Sequence, residues 1–206
     1  MKHILVLFPM AAFLMAAGAS AQSSSSRPAG LYAIFHTSAG AIAARLFEKE
    51  TPNTVRNFVA LAQGKKPWRD PATRTMVTRP LYENITFFRV TPGIMIQAGD
   101  PTGKNGFNCG ITIPDEILPG LRFDSGGKLA LANSGNPDSG GCQFFITADA
   151  MTQWNGKYAI FGQVVEGREV VSKIAHARVI GETPVDPVKL IDVAIERAGP
   201  EPKSKR

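Results

Sequence analysis

Arg89 is the residue in this sequence whose position most invites chemistry. It stands within Ile-Thr-Phe-Phe-Arg-Val-Thr-Pro-Gly-Ile-Met-Ile-Gln-Ala-Gly-Asp, residues 85–100, a cation set between two apolar runs rich in Val, Ile, Phe and Thr. Thr91-Pro92-Gly93 breaks the stretch into two strands, and strand alternation places Met95 and Gln97 on one face with Ile94 and Ile96 on the other. Arg89, Met95 and Gln97 can then share one surface, combining a permanent charge, an amide able to hold it and an apolar wall. A lone arginine in such a place usually lies along an apolar face with its head in water. The rest of the chain has to decide between the two.

Other chemistries are bounded by what the sequence lacks. Its three histidines are His3, close to the N-terminus, and His36 and His176, which fall in separate elements without a neighbouring Ser or Cys signature. The two cysteines and the two later histidines have no metal-ligand spacing. Asp115 and Glu116 are adjacent, so on a strand end they point apart and do not make an acid and base pair; Asp100 is a single acid. Gly103-Lys104 is not a phosphate loop, because Ala98 stands where the leading glycine is needed and Asn105 where Ser or Thr is needed. An enzyme built on these residues works without a proton shuttle, a metal or a cofactor.

The elements that must position Arg89 can be read in order. Met1–Ala21 has Lys2, an apolar run from Ile4 to Leu14 and Ala19-Ser20-Ala21, the pattern of a cleaved signal peptide. The run falls short of the roughly 20 residues needed to span a bilayer, so the expectation is an exported, periplasmic or secreted protein with no membrane span. Residues 22–30 read as a flexible leader, 31–197 as one domain and 198–206 as a frayed tail. The formal charge of +6 is spread along the 206 residues rather than gathered in a basic helix, which argues against a nucleic-acid partner.

Within the domain, Leu31–His36 and Ala41–Phe47 form a hairpin through Ser38-Ala39-Gly40. Thr51 reads as the N-cap and Pro52 as the first residue of an amphipathic helix that Gly64 stops. Residues 65–80, basic and proline-rich, read as an exposed loop. Further strands are expected at 127–133, 143–147, 158–162 and 188–197, with a second helix at 168–176. Many short strands with two helices argue a closed antiparallel barrel or a sandwich.

At this point the residues carry a resemblance. Asn57-Phe58-Val59-Ala60-Leu61, Phe87-Phe88-Arg89-Val90, Gly93-Ile94-Met95-Ile96-Gln97-Ala98-Gly99-Asp100, Leu131-Ala132-Asn133, Gln143-Phe144-Phe145-Ile146 and Phe161-Gly162 follow one another in the order of the cyclophilin-type peptidyl-prolyl cis-trans isomerases, of the bacterial exported kind. Each motif is weak alone, but their ordered conjunction from Leu31 to Ile195 resembles that family throughout. The resemblance implies a mainly β fold, a closed eight-stranded antiparallel β-barrel capped by two α-helices. It implies a substrate groove on the outer barrel surface, Xaa-Pro segments of unfolded or exported proteins as partners, cyclosporin-like ligands, and a monomer.

Carried over by position, Arg89 matches the family's catalytic arginine and Gln97 the glutamine that positions it. Met95 and Phe145 match walls of the proline pocket, Ala132 and Asn133 the strand that pairs with substrate backbone, and Gln143 a further groove residue. Phe88 and Ile94 depart from the usual histidine and phenylalanine. Trp154 falls in a segment one residue shorter than the family pattern, and Tyr158 stands where the family often has histidine. The physical logic is that twisting the imide bond localises the nitrogen lone pair, to which a fixed guanidinium can donate only in the twisted state. Two other readings stay open: a proline-peptide binding module or chaperone on the same fold, and an unrelated barrel-shaped carrier. For Cys109 and Cys142, which the resemblance puts in loops near one end of the groove, a disulfide and a pair of unlinked small apolar residues both remain open.

Overall fold

The computed structural model describes residues 27–200; the expected signal segment, most of the leader and the end of the tail lie outside the described residues. β1 (Gly30–Thr37) and β2 (Gly40–Leu46) form the expected hairpin. Its turn is held by the Thr37 hydroxyl, which donates to the Gly40 carbonyl at 2.6 Å and accepts from the Ala39 N–H at 3.1 Å. Helix α1 (Pro52–Ala62) buries Val55, Phe58 and Leu61.

Helix α1 starts where the sequence reading put it, with Thr51 at the N-cap position and Pro52 in the first turn, but Thr51 is not the capping group. The Thr51 hydroxyl turns back to the Phe47 carbonyl at 3.2 Å and does not cap the helix. Glu116 does so instead, accepting from the main-chain N–H groups of Asn53 and Thr54 at 3.1 and 2.8 Å and from the Thr54 hydroxyl at 2.7 Å. A carboxylate suits this end because it meets unsatisfied donors and the positive pole of the helix together. The main-chain N–H of Asp115 beside it donates to the Asp138 carboxylate at 2.7 Å, and the Asp138 N–H donates to the Asp115 carboxylate at 2.9 Å. The two acids therefore lie in a loop, not on a strand end, and both are structural.

Residues 65–80 are also more ordered than an exposed loop. β3 (Trp68–Arg69) and β4 (Met76–Val77) form a small ribbon. Trp68 is fully buried, its indole N–H donating to the Arg79 carbonyl at 2.8 Å, while the Arg79 guanidinium lies over the ring and bonds Asp70. Polar composition suggested solvent, but one tryptophan with a partner for its N–H anchors the segment.

The strands β5 (Ile85–Thr86), β6 (Arg89–Thr91), β7 (Met95–Ala98), β8 (Lys128–Leu131), β9 (Phe144–Thr147), β10 (Ile160–Glu166) and, after helix α2 (Arg168–Ala175) and the hairpin β11 (Val179–Ile180) and β12 (Thr183–Pro184), β13 (Lys189–Ala198) complete the chain. The main sheet is nine-stranded, in the order β5-β13-β1-β2-β10-β8-β9-β7-β6. Its two ends, β5 and β6, are one chain run interrupted only at Phe87-Phe88, so that run pairs with β13 on one side and β7 on the other. Counted as a single run it gives eight strands and draws the sheet's ends together, which leaves little edge exposed. The ninth strand arises from the break that the sequence did not reveal.

The interior is aromatic. Phe58 of α1 meets Phe35, Phe144 and Phe161 with ring centroids 5.1–6.0 Å apart, and Tyr82 stacks on it at 5.0 Å. Val171, Ile174 and Ala175 of α2 join the same core. The chain ends are tied as well: Arg27, in the expected leader, bonds Glu166 and Glu196, and β13 extends to Ala198 at the start of the expected tail. Among the described residues no helix is long and apolar enough to cross a membrane.

Cys109 and Cys142 form a disulfide, with Cα atoms 6.4 Å apart and a sequence separation of 33. It fastens the long connection after β7 to the segment entering β9. In the chain-entropy model a loop of this length is restrained by roughly 3 to 4 kcal/mol. Cys109→Ser/Cys142→Ser is therefore expected to lower stability by about that amount, read from urea unfolding; an unchanged midpoint and slope contradicts the assignment.

Candidate functional site

Strand register assembles the site. Arg89 pairs with Gln97, Gln97 with Phe145 and Phe145 with Ala130, a row of side chains running across β6, β7, β9 and β8. The neighbouring row, Val90, Ile96, Ile146 and Leu129, is fully buried in the core. Because alternate residues face opposite sides of a sheet, the row that contains Arg89 is directed outward.

On that outer face lies a groove of about 800 Å³. Arg89, Met95, Gln97, Ala132, Asn133, Gln143, Phe145, Trp154 and Tyr158 all line it. Ile94 does not: it sits in the turn between β6 and β7, where its N–H donates to the Thr91 carbonyl, and it packs against the apolar cluster that includes Met95 and Phe145. Phe88 is buried beside Arg89 without lining the groove.

The groove has two chemically distinct halves. One is an aromatic box, in which Phe145, Trp154 and Tyr158 meet edge to face at centroid distances of 5.1–5.9 Å. Phe123, fully buried, stacks on Phe145 at 6.0 Å and meets Trp154 and Tyr158 edge-on. Edge-to-face rings of this kind hold one another rigid, and the result is an apolar seat with Met95 at its side. The sequence reading missed Phe123, which lies far from every motif; its aromatic character was the only local signal.

The other half is polar and connected. Arg89 Nη1 donates to Gln97 Oε1 at 3.1 Å, Gln97 Nε2 to Gln143 Oε1 at 2.8 Å, and Gln143 Nε2 to the Phe107 carbonyl at 3.1 Å. Gln97 is 5% exposed, so its amide is fixed on both sides by partners that exclude rotation. Beyond the guanidinium, Glu182 accepts from Arg89 Nε at 2.7 Å and from the Thr91 hydroxyl. These two donors hold the Glu182 carboxyl below the usual carboxylate range, the Arg89 bond being the larger cause. Glu182 was invisible in sequence because it lies 93 positions from Arg89.

The remaining backbone can accept an extended chain. The Ala132 N–H is engaged by the Gln143 carbonyl at 2.9 Å, whereas the Asn133 main-chain N–H and C=O have no hydrogen bond among the described residues. The Asn133 side chain is fixed by the Lys157 carbonyl and the Gly135 N–H. Asp100, fully buried, accepts from the Thr102 and Phe107 N–H groups and so shapes the loop carrying the Phe107 carbonyl. At Gly99 a Cβ would lie 2.4 Å from the Cys142 carbonyl, and φ is 97°, so this crossing tolerates only glycine.

An outward row of arginine, glutamine and phenylalanine beside an apolar seat and an open strand edge defines a class of site suited to an extended peptide that sets an apolar residue against a fixed cation. Comparison with known proteins gives that class a family. Residues 32–195 match the family model described as cyclophilin type peptidyl-prolyl cis-trans isomerase/CLD, and the chain belongs to that family. It is 42% identical over 171 residues to peptidyl-prolyl cis-trans isomerase B of Streptomyces anulatus, covering 81% of this chain and 94% of that one. It is 40% identical over 166 residues to peptidyl-prolyl cis-trans isomerase A of Mycobacterium tuberculosis, covering 79% and 91%. A Cryptosporidium parvum cyclophilin-type isomerase, whose crystal structure was determined in the presence of the dipeptide Ala-Pro, superposes with a TM-score of 0.69 at 31% identity over 80% of this chain and 98% of its own. The present chain is an enzyme of this kind, a peptidyl-prolyl cis-trans isomerase.

Phe123 supplies a test of the apolar seat. Phe123→Ala is expected to cost about 3 to 5 kcal/mol of stability through the cavity left under Phe145, measured by urea unfolding, and to weaken binding of an Ala-Pro peptide followed by NMR titration. Unchanged peptide affinity in a folded variant removes Phe123 from the site.

Proposed function

We propose that this chain acts outside the cytoplasm, rotating Xaa-Pro bonds in extended segments of exported proteins and so assisting their folding, with Arg89 as the transition-state donor. The observation that carries the reading is the guanidinium fixed by Gln97 at the mouth of an apolar, aromatic seat. The proline ring sits against Met95, Phe145, Trp154 and Tyr158, and the substrate backbone pairs with the main chain of Asn133. Cyclosporin-like ligands compete for the same groove, and a monomer suffices because one chain supplies every group named. Extracytoplasmic action is supported by the signal-like pattern of residues 1–21 and by the Cys109–Cys142 bridge, since disulfides persist in oxidising compartments.

The chemistry follows from the amide itself. Rotation of the bond before proline faces a barrier of roughly 18 to 20 kcal/mol because the nitrogen lone pair is shared with the carbonyl. In the twisted state the lone pair is localised on nitrogen and can accept from Arg89; in the planar state it cannot, so the interaction lowers the barrier instead of merely tightening binding. A hydrogen bond to a charged group contributes roughly 1.5 to 3 kcal/mol, against about 1.4 kcal/mol for each tenfold in rate. The apolar seat adds a further contribution, because desolvation disfavours the planar, more polar amide.

Arg89→Ala is expected to keep its fold and lose two to three decades of turnover, about 3 to 4 kcal/mol, on a short Xaa-Pro peptide. Near-normal turnover in the folded variant rejects the role of Arg89. Compartment is tested separately by N-terminal sequencing of the protein from its native host: a start at Gln22 fits export, and a retained Met1 excludes cleavage.

A further inference from the structure

Glu182 belongs to none of the strands that line the groove. It occupies the two-residue turn Gly181-Glu182 of the hairpin in which Ile180 pairs with Thr183 and Val179 with Pro184. Gly181 has φ of 64°, the left-handed conformation such a turn requires. A further bond from the Val185 N–H to the Arg178 carbonyl, at 2.9 Å, extends the hairpin. The turn is docked on β6 through both main chain and side chain. The Val90 N–H donates to the Glu182 carbonyl at 2.8 Å, while the carboxylate takes Arg89 Nε on one oxygen and the Thr91 hydroxyl on the other.

The guanidinium is thus held on two edges. Nε is engaged by Glu182 and Nη1 by Gln97, whereas Nη2 has no hydrogen bond among the described residues. The Arg89 side chain is 36% exposed and lines the groove. Resting on the reading of Arg89 as the transition-state donor, we propose that Glu182 is a positioning residue: clamped by Thr91, it fixes the rotation of the Arg89 side chain so that Nη2 is the edge presented to the twisted imide. A reacting group displaced by about 1 Å can lose on the order of a hundredfold in rate, and an arginine held only by Gln97 keeps a rotational freedom that Glu182 removes. The carboxylate also offsets part of the guanidinium charge, so its contribution is orientation and not field strength.

The acid form of Glu182 is a poorer partner, which gives the role a pH signature. Its folded carboxyl lies below its usual range, chiefly through Arg89 and then through Thr91. Arg89 is the one charged side chain bonded to it among the described residues, with uncharged Thr91 beside it on β6 and Gln97 of β7 reaching it only through Arg89. The clamp is therefore complete above the ordinary carboxylate pKa and is lost as pH falls through the lowered one.

The test is exchange NMR on an Ala-Pro peptide with the intact protein, Glu182→Ala, Glu182→Gln, Arg89→Ala and the Arg89→Ala/Glu182→Ala pair. Glu182→Ala is expected to lower kcat/KM about tenfold while leaving peptide Kd within about twofold. Glu182→Gln keeps an acceptor for Nε and is expected to recover to within about threefold at neutral pH, with no loss of activity at the acid pH where the natural protein declines. In the Arg89→Ala background, loss of Glu182 should change nothing further. Full turnover in Glu182→Ala, or an equal loss in the Arg89→Ala background, overturns the proposal. If Glu182→Ala fails to fold, the Glu182→Gln profile decides, and an acid decline matching the natural protein overturns it. Near-normal turnover of Arg89→Ala instead overturns the reading of Arg89 on which the proposal rests.

Discussion

The break at Phe87-Phe88 is the constraint on which the site depends. Ile85 and Phe87 are both in the core, so unbroken alternation would send the side chain of residue 89 inward as well. Val90 is the residue buried instead, and Arg89 emerges on the outer face. A one-residue irregularity thus flips the faces of the strand. The same run closes the barrel by pairing with β13 before the break and β7 after it. Closure and exposure of the cation are consequences of one local feature, and neither can be altered without disturbing the other.

Around that cation the groove divides its work between rigidity and openness. The aromatic box is locked onto buried Phe123, which stacks on Phe145 and meets Trp154 and Tyr158 edge-on, and the amides of Gln97 and Gln143 are locked by each other. Arg89 Nη2 and the main-chain N–H and C=O of Asn133 have no hydrogen bond among the described residues, and both Arg89 and Asn133 line the groove. Preorganisation of this kind is what electrostatic stabilisation of a twisted amide requires, since donors that had to reorient would give back the energy they supply.

The long connection between β7 and β8 carries little regular structure, yet it forms one wall of the groove. It is held by discrete polar and covalent ties: Asp100 at its start, the Cys109–Cys142 bridge in its middle and Glu116 at the N-terminus of α1. Three acids that might be taken for catalytic groups, Asp100, Asp115 and Glu116, are all occupied in fastening this loop. Catalysis without acid and base chemistry is consistent with where these carboxylates are placed.

Much of this was legible in the sequence. Strand alternation alone put Met95 and Gln97 on a common face, turn residues marked the first hairpin, and ordered motifs carried a family resemblance whose fold and activity the chain shares. Those features are local or depend on motif order, which a linear text preserves. What the linear text did not carry were contacts between distant positions. Glu116 caps a helix 62 positions away, Glu182 meets Arg89 across 93, Phe123 underlies Phe145, and Trp68 converts a basic loop into an anchored ribbon. Nor could propensity show that Ile94 would sit in the β6–β7 turn and not among the lining residues of the groove. Secondary structure follows from short-range sterics and periodicity, whereas the partner of a carboxylate or a ring is chosen by the closure of the barrel, and only the folded chain decides it.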